Sequence, residues 1–135
     1  MRRREPEELA TVLLGKAEQD EAAVRELLRN ANVAGEIVAF HAQQAAEKSL
    51  RAVLAVHGVR FGRTHNIATL IDLAREAGES VPEWVEEATA LTPFGVAFRY
   101  EDLSAEVEPL DREATYELVR RLLSWAEGRV RPRPS

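Results

Sequence analysis

The segment from Phe40 to Arg51, Phe-His-Ala-Gln-Gln-Ala-Ala-Glu-Lys-Ser-Leu-Arg, holds the densest set of chemically capable side chains in the chain. At about 100° per residue, His41, Gln44, Lys48 and Arg51 fall within roughly 80° of arc, and Glu47 lies about 40° beyond. They form one polar stripe on a helix that is otherwise apolar. Lys48 and Arg51 bring cations, Gln44 brings donors and an acceptor, and His41 brings an imidazole. Such a set suits contact with phosphate or a nucleobase. It suits a second role equally well. Burying these groups costs several kcal/mol unless they are partnered, so they could instead close a hydrogen-bonded network that fixes helix register or lines a subunit interface. The residues alone leave both roles open.

Other chemistries lack their parts. The seven glycines never approach the spacing of a phosphate loop or a dinucleotide fingerprint. There is no His-Glu-x-x-His or Glu-x-x-His pair, so neither a zinc helix nor a di-iron bundle is expected, and no metal or cofactor is assigned. The chain has no cysteine, which excludes disulfides and thiolate chemistry. No nucleophile-elbow sequence supports a serine triad. The net charge of −5 argues against sequence-specific or indiscriminate duplex DNA binding, which draws on many cationic contacts. Of 18 basic residues only Lys16 and Lys48 are lysines. Arginine suits bidentate phosphate contact, but coding bias or heat adaptation explains the preference equally well.

These groups must be positioned by helices. Leu9, Val12, Leu13, Ala17, Val24, Leu27 and Leu28 recur at helical spacing, predicting a first amphipathic helix from Pro6 to about Asn30. A second, from about Gly35 to His57, is apolar on so many faces that it belongs at the centre of a bundle or at an interface. Gly58 stops it. The stretch from Val59 to His65 is a connector. Asn66 caps a third helix, which Gly78 ends. Ser80-Val81-Pro82-Glu83 reads as a capping box opening a fourth helix through Leu91, which Pro93 must disturb. After a loop from Glu101 to Leu110, Asp111 caps a last helix. No segment alternates with period two, so no sheet is expected. The expectation is an all-α, up-and-down antiparallel bundle of four to five helices, one domain over 1–135 with its core at about 7–128 and a flexible tail at 129–135. No apolar run is long enough to cross a bilayer and the N-terminus does not read as a signal peptide, so a cytoplasmic location is expected.

Three motifs in order resemble one family. The run His-x-x-Gln-x-x-Glu-Lys-x-Leu-Arg-Ala from His41 to Ala52 is similar to the second helix of HEPN-domain proteins. Thr64-His65-Asn66-Ile67 resembles that family's Thr-His-Asp/Asn-Leu junction, and Arg99-Tyr100-Glu101-Asp102 resembles its Arg-Tyr segment before the last helix. Together they span about positions 35 to 128. The resemblance implies an antiparallel helical bundle, frequent homodimerisation, and association with nucleotides or RNA. It also implies pairing with a small nucleotidyltransferase, often as a toxin–antitoxin couple. Carried over by position, His41, Gln44, Glu47, Lys48, His65, Arg99 and Tyr100 are the family's recurring polar residues, and Arg51 joins them as a ligand-binding candidate from the stripe.

Catalytically active members resemble one another in an arginine followed four to six residues later by a histidine, near the last helices. Histidine can act as general base or acid for attack by a 2′-hydroxyl, and arginine can stabilise the charged transition state. Arg99 stands in the right region, but His65 is the last histidine in the chain. The motif is therefore incomplete, and the leading expectation is a non-catalytic module. In some relatives a tyrosine near this motif is nucleotidylated; without the histidine, that modification is not transferred to Tyr100. Two other pairs fit the bare spacing, Arg51 with His57 and Arg60 with His65, where chance supplies about one. Arg51 and His57 would point about 120° apart on one helix. Arg60 and His65 lie on the connector, where they can converge, so a metal-independent ribonuclease using them, or Arg99 with a partner's histidine, is the alternative. A simpler role for His65 is an imidazole bonded to backbone at the start of the third helix. A purely structural dimerisation module is the third reading.

Overall fold

The computed structural model describes residues 5–95 and 110–131. Helix α1 (Pro6–Leu27) is followed by α2 (Gly35–Val56), α3 (Ile67–Glu76), a 3₁₀ helix (Glu83–Gly95) and α4 (Arg112–Val130), with no strand among the described residues. This is the all-α helical bundle expected. None of these helices is long and apolar enough to cross a membrane.

The helix ends follow from local chemistry. Asn66 accepts from the Thr69 amide at 3.1 Å, and Asp111 from the Ala114 amide at 3.0 Å, as N-caps do. Gly58 and Gly78 sit at φ 68° and 98°, the left-handed region that glycine enters without a Cβ penalty. Beyond each, a backbone amide reaches back into the last turn: Val59 to the Leu54 carbonyl and Glu79 to the Ala74 carbonyl.

Thirteen of the 22 residues of α2 are buried, against five in α1, which makes α2 the central rod. Its end shares a groove with the start of α1, where Ala55 lines the same wall as Pro6 and Leu9. α4 also runs against α1. Arg112 in its first turn donates to the carbonyls of Leu28, Asn30 and Val33 just past the end of α1. Farther along, Leu123 and Ala126 join Leu14, Ala17, Ala52 and Val53 in a buried apolar cluster. A larger cluster around Leu50, Leu54, Ile67, Leu70 and Ile71 fills the space beneath α3 and the 3₁₀ helix.

The fourth helix is not the α-helix that the capping-box reading anticipates. Its buried residues, Val85, Ala88, Leu91 and Phe94, recur every three positions. On an α-helix such a row would drift by about 60° at each step; at three residues per turn it stays aligned, so this spacing buries best as 3₁₀. The segment opens with the Val85 amide donating to the Pro82 carbonyl, and Pro93 lies inside it. α4 also continues to Val130, past the start of the expected flexible tail, and Arg129 and Arg131 reach Glu79 and Glu18.

α1 and α4 further meet at Glu18 and Glu127. Burial raises the Glu127 carboxyl above its ordinary range, and hydrogen bonding to Glu18 with that group's charge adds to the rise. An acid that holds its proton more tightly folded than unfolded loses stability as pH climbs through that range. Glu127→Gln is therefore expected to raise the melting temperature at pH 7 by about 1–3 °C, and to give no advantage below pH 4. Equal melting of the two proteins at pH 7 would remove this pair as a destabilising contact.

Candidate functional site

Gln44, Glu47, Lys48, Arg51 and His41 do share one flank of α2, and neighbouring elements complete the site from both sides. From α1, Asp20 meets the stripe: one carboxylate oxygen lies 3.3 Å from His41 Nδ1 and the other accepts from Lys48 Nζ at 2.6 Å. From the connector, His65 Nδ1 lies 2.8 Å from Glu47 Oε1. Arg51 stands 3.5 Å from Glu47 Oε2, donates to the Thr64 carbonyl at 2.5 Å, and places its guanidinium 5.2 Å from the centre of the Phe61 ring.

Glu47 is the hub. Its side chain is 3% exposed, and it receives Gln43 Nε2 at 2.9 Å in addition to His65 and Arg51. A buried carboxylate survives only with such partners. Gln43, fully buried, passes the network on by accepting from Gln44 Nε2 at 2.7 Å. The 3₁₀ helix closes against the same amide. A Cβ on Gly95 would come within 2.5–2.8 Å of the Gln43 side-chain atoms, so glycine permits that approach. Buried Arg51 Nε and Ser49 Oγ have no hydrogen-bond partner among the described residues.

The charges on the stripe cancel. Lys48 is matched by Asp20 and Arg51 by Glu47. What faces outward is the half-exposed remainder, chiefly the His41 and His65 rings, with side chains 31% and 47% exposed. Glu47 Oε1 at His65 Nδ1 fixes the orientation of that half-exposed ring.

Arg60 stands exposed on the same connector as His65. His57 goes elsewhere: its Nε2 lies 2.8 Å from Glu79, which also accepts from Arg129 at 2.7 Å. Burial alone would raise the Glu79 carboxyl, but these two hydrogen bonds outweigh it and hold the group below its ordinary value. Arg51 and His57 thus serve different partners. Arg99 and Tyr100 lie outside the described residues. Among the described residues no group of three or more His, Asp or Glu side chains converges to hold a metal ion.

Two members of the site escape a reading of the stripe. Asp20 pairs with residues 21 and 28 positions away, and nothing local marks it except its place three residues after buried Ala17. Gln43 falls on the apolar side of the arc, and its spacing of four from Glu47 is the signal that could have found it.

The HEPN domain family model matches residues 10–129, most of the chain. No curated protein and no solved structure matches it.

Proposed function

This chain belongs to the HEPN domain family, and from that premise we propose a non-catalytic module that binds a nucleotide or RNA over the polar face of α2. Family membership supports association with nucleotides or RNA in general. The finer reading is that the protein acts as one domain and as a homodimer, with a small nucleotidyltransferase of toxin–antitoxin type as its partner. The observation that carries it is that two hydrogen-bonded clusters lie along one flank of α2, His41 and Lys48 fixed by Asp20, and Arg51, His65 and (through Gln43) Gln44 fixed by Glu47. Arg99 and Tyr100 join the proposed ligand-binding set by position in the motif. Pre-organised side chains of this kind present base-edge donors and acceptors at little entropic cost. Isothermal titration with nucleotides, single-stranded RNA and the nucleotidyltransferase is expected to give binding to at least one; no heat with any of them would end this reading.

One observation favours a second reading, a metal-independent ribonuclease. The Glu47–His65 pair couples a buried carboxylate to a half-exposed imidazole, the arrangement a general base needs. Arg60 is the arginine proposed to act with it, and Arg99 with a histidine of a partner subunit is the other proposed pair. Incubation of mixed RNA with wild type and His65→Ala separates the two: cleavage lost in the variant supports the enzyme, and intact RNA in both disposes of it.

A further inference from the structure

A bound phosphate needs cations that no carboxylate has already claimed. On the α2 stripe there are none to spare, since Asp20 takes Lys48 and Glu47 takes Arg51. Elsewhere Arg25, Arg29, Arg75, Arg120, Arg129 and Arg131 each pair with a glutamate. Arg112 is spent on the carbonyls beyond α1, and Arg121 lies over the Trp84 ring. Arg60 and Arg63 differ. Both are exposed, three residues apart on the connector, and neither has an ion-pair, hydrogen-bond or ring partner among the described residues.

The surrounding sequence reinforces them. From Lys48 to Ile71 no aspartate or glutamate occurs, although the chain holds 23 in 135 residues and about four would be expected over that length. Lys48, Arg51, His57, Arg60, Arg63 and His65 all fall inside this stretch. Asp20 and Glu47 meet Lys48, Arg51 and His65, and Glu79 meets His57, so among the described residues the positive charge left unmatched on the connector is that of Arg60 and Arg63.

A cavity of about 410 Å³ lies between the connector and the start of α1, walled by Pro6, Leu9, Val59, Arg60 and Phe61. Its size suits a single nucleoside rather than a helix or a strand pair. Phe61 forms part of the wall, with the Arg51 guanidinium against its ring.

We propose that this connector is a nucleotide-binding surface in its own right, with Arg60 and Arg63 on the phosphates and the base packed against Phe61 in the groove. It rests on the proposed ligand class but moves the phosphate contacts off α2. Charge complementarity selects the occupant: a largely apolar slot lined by Arg60, with exposed Arg63 three residues farther along the connector, fits a base carrying its phosphate, on a single strand or as a free nucleotide. Aromatic stacking and backbone cations are the two elements from which single-strand sites are built.

The test is fluorescence anisotropy of a labelled single-stranded RNA of about ten nucleotides, titrated over a salt series, with AMP as competitor. Arg60→Ala with Arg63→Ala is expected to raise Kd at least tenfold and to lower the slope of log Kd against log salt by about 1.4, the value for two single-strand phosphate contacts. Phe61→Leu should raise Kd about fivefold or more and leave the slope unchanged. Displacement by AMP identifies a free nucleotide as occupant; no displacement identifies the strand. Both arginines are exposed, so the double variant should melt with wild type. An unchanged Kd and slope in that variant, with wild type binding RNA, overturns this site alone. Wild type binding neither RNA nor AMP overturns the proposed function with it.

Discussion

Glu47→Ala is expected to lower the melting temperature by about 10–20 °C, through a loss of about 3–5 kcal/mol. The carboxylate is almost wholly enclosed and serves three side chains from two elements. Its removal leaves the Arg51 guanidinium, whose side chain is 17% exposed, without a counter-charge. It also takes away the acceptor for Gln43 and for His65, and an unmade buried hydrogen bond costs about 1–3 kcal/mol on its own. Glu47→Gln keeps the shape and one acceptor oxygen but not the charge, so its loss should fall well short of the alanine variant. Thermal melting by circular dichroism reads the order directly. A fall of less than 3 °C for Glu47→Ala would mean that Arg51 and His65 find water readily and that Glu47 is no hub.

The second large effect is expected at Gly95. A methyl group there would overlap the Gln43 amide, which cannot swing aside without giving up its bonds to Glu47 and Gln44. Gly95→Ala is therefore expected to cost about 1–3 kcal/mol, the range for overpacking a filled interior. The mechanism has its own check in a double-mutant cycle. In a Gln43→Ala background the same change should cost little, because the space it needs has been vacated. Equal costs in both backgrounds would place the strain in the backbone of the 3₁₀ helix instead.

Much of this architecture is legible in the chain because its rules are local. Asn66 and Asp111 cap the helices that follow them, Gly58 and Gly78 end the ones before, and the apolar surplus of Gly35–Val56 announces a central rod. The α2 stripe is legible for the same reason, since a period of 3.6 is set by the backbone alone. What hides is what depends on distance. Asp20 becomes the partner of Lys48 only when α1 folds back on α2, and no property of its neighbours in sequence demands that. Glu47 reads as one more polar residue at the edge of the stripe until Gln43, Arg51 and His65 converge on it. The 3₁₀ helix is an intermediate case: the three-residue spacing of Val85, Ala88, Leu91 and Phe94 is written in the sequence, but a capping-box pattern ahead of it points toward an α-helix.

The two levels of the site divide the work. Asp20 and Glu47 neutralise and fix Lys48 and Arg51, which leaves His41 and Gln44 on α2, and His65 beside them, as the groups proposed for recognition. The connector, held to α2 through Arg51 and His65, supplies two exposed cations, Arg60 and Arg63, that no carboxylate among the described residues claims. A ligand that is part base and part phosphate would use both.

The most direct test is a ¹⁵N-resolved NMR titration of the full chain with single-stranded RNA and, separately, AMP. The expected result is that the largest amide shifts gather on His41 to Arg51 and His57 to Asn66, with α1 beyond its first turns and α4 nearly still. Saturating ligand that moves only residues outside those segments, or moves none, would contradict it.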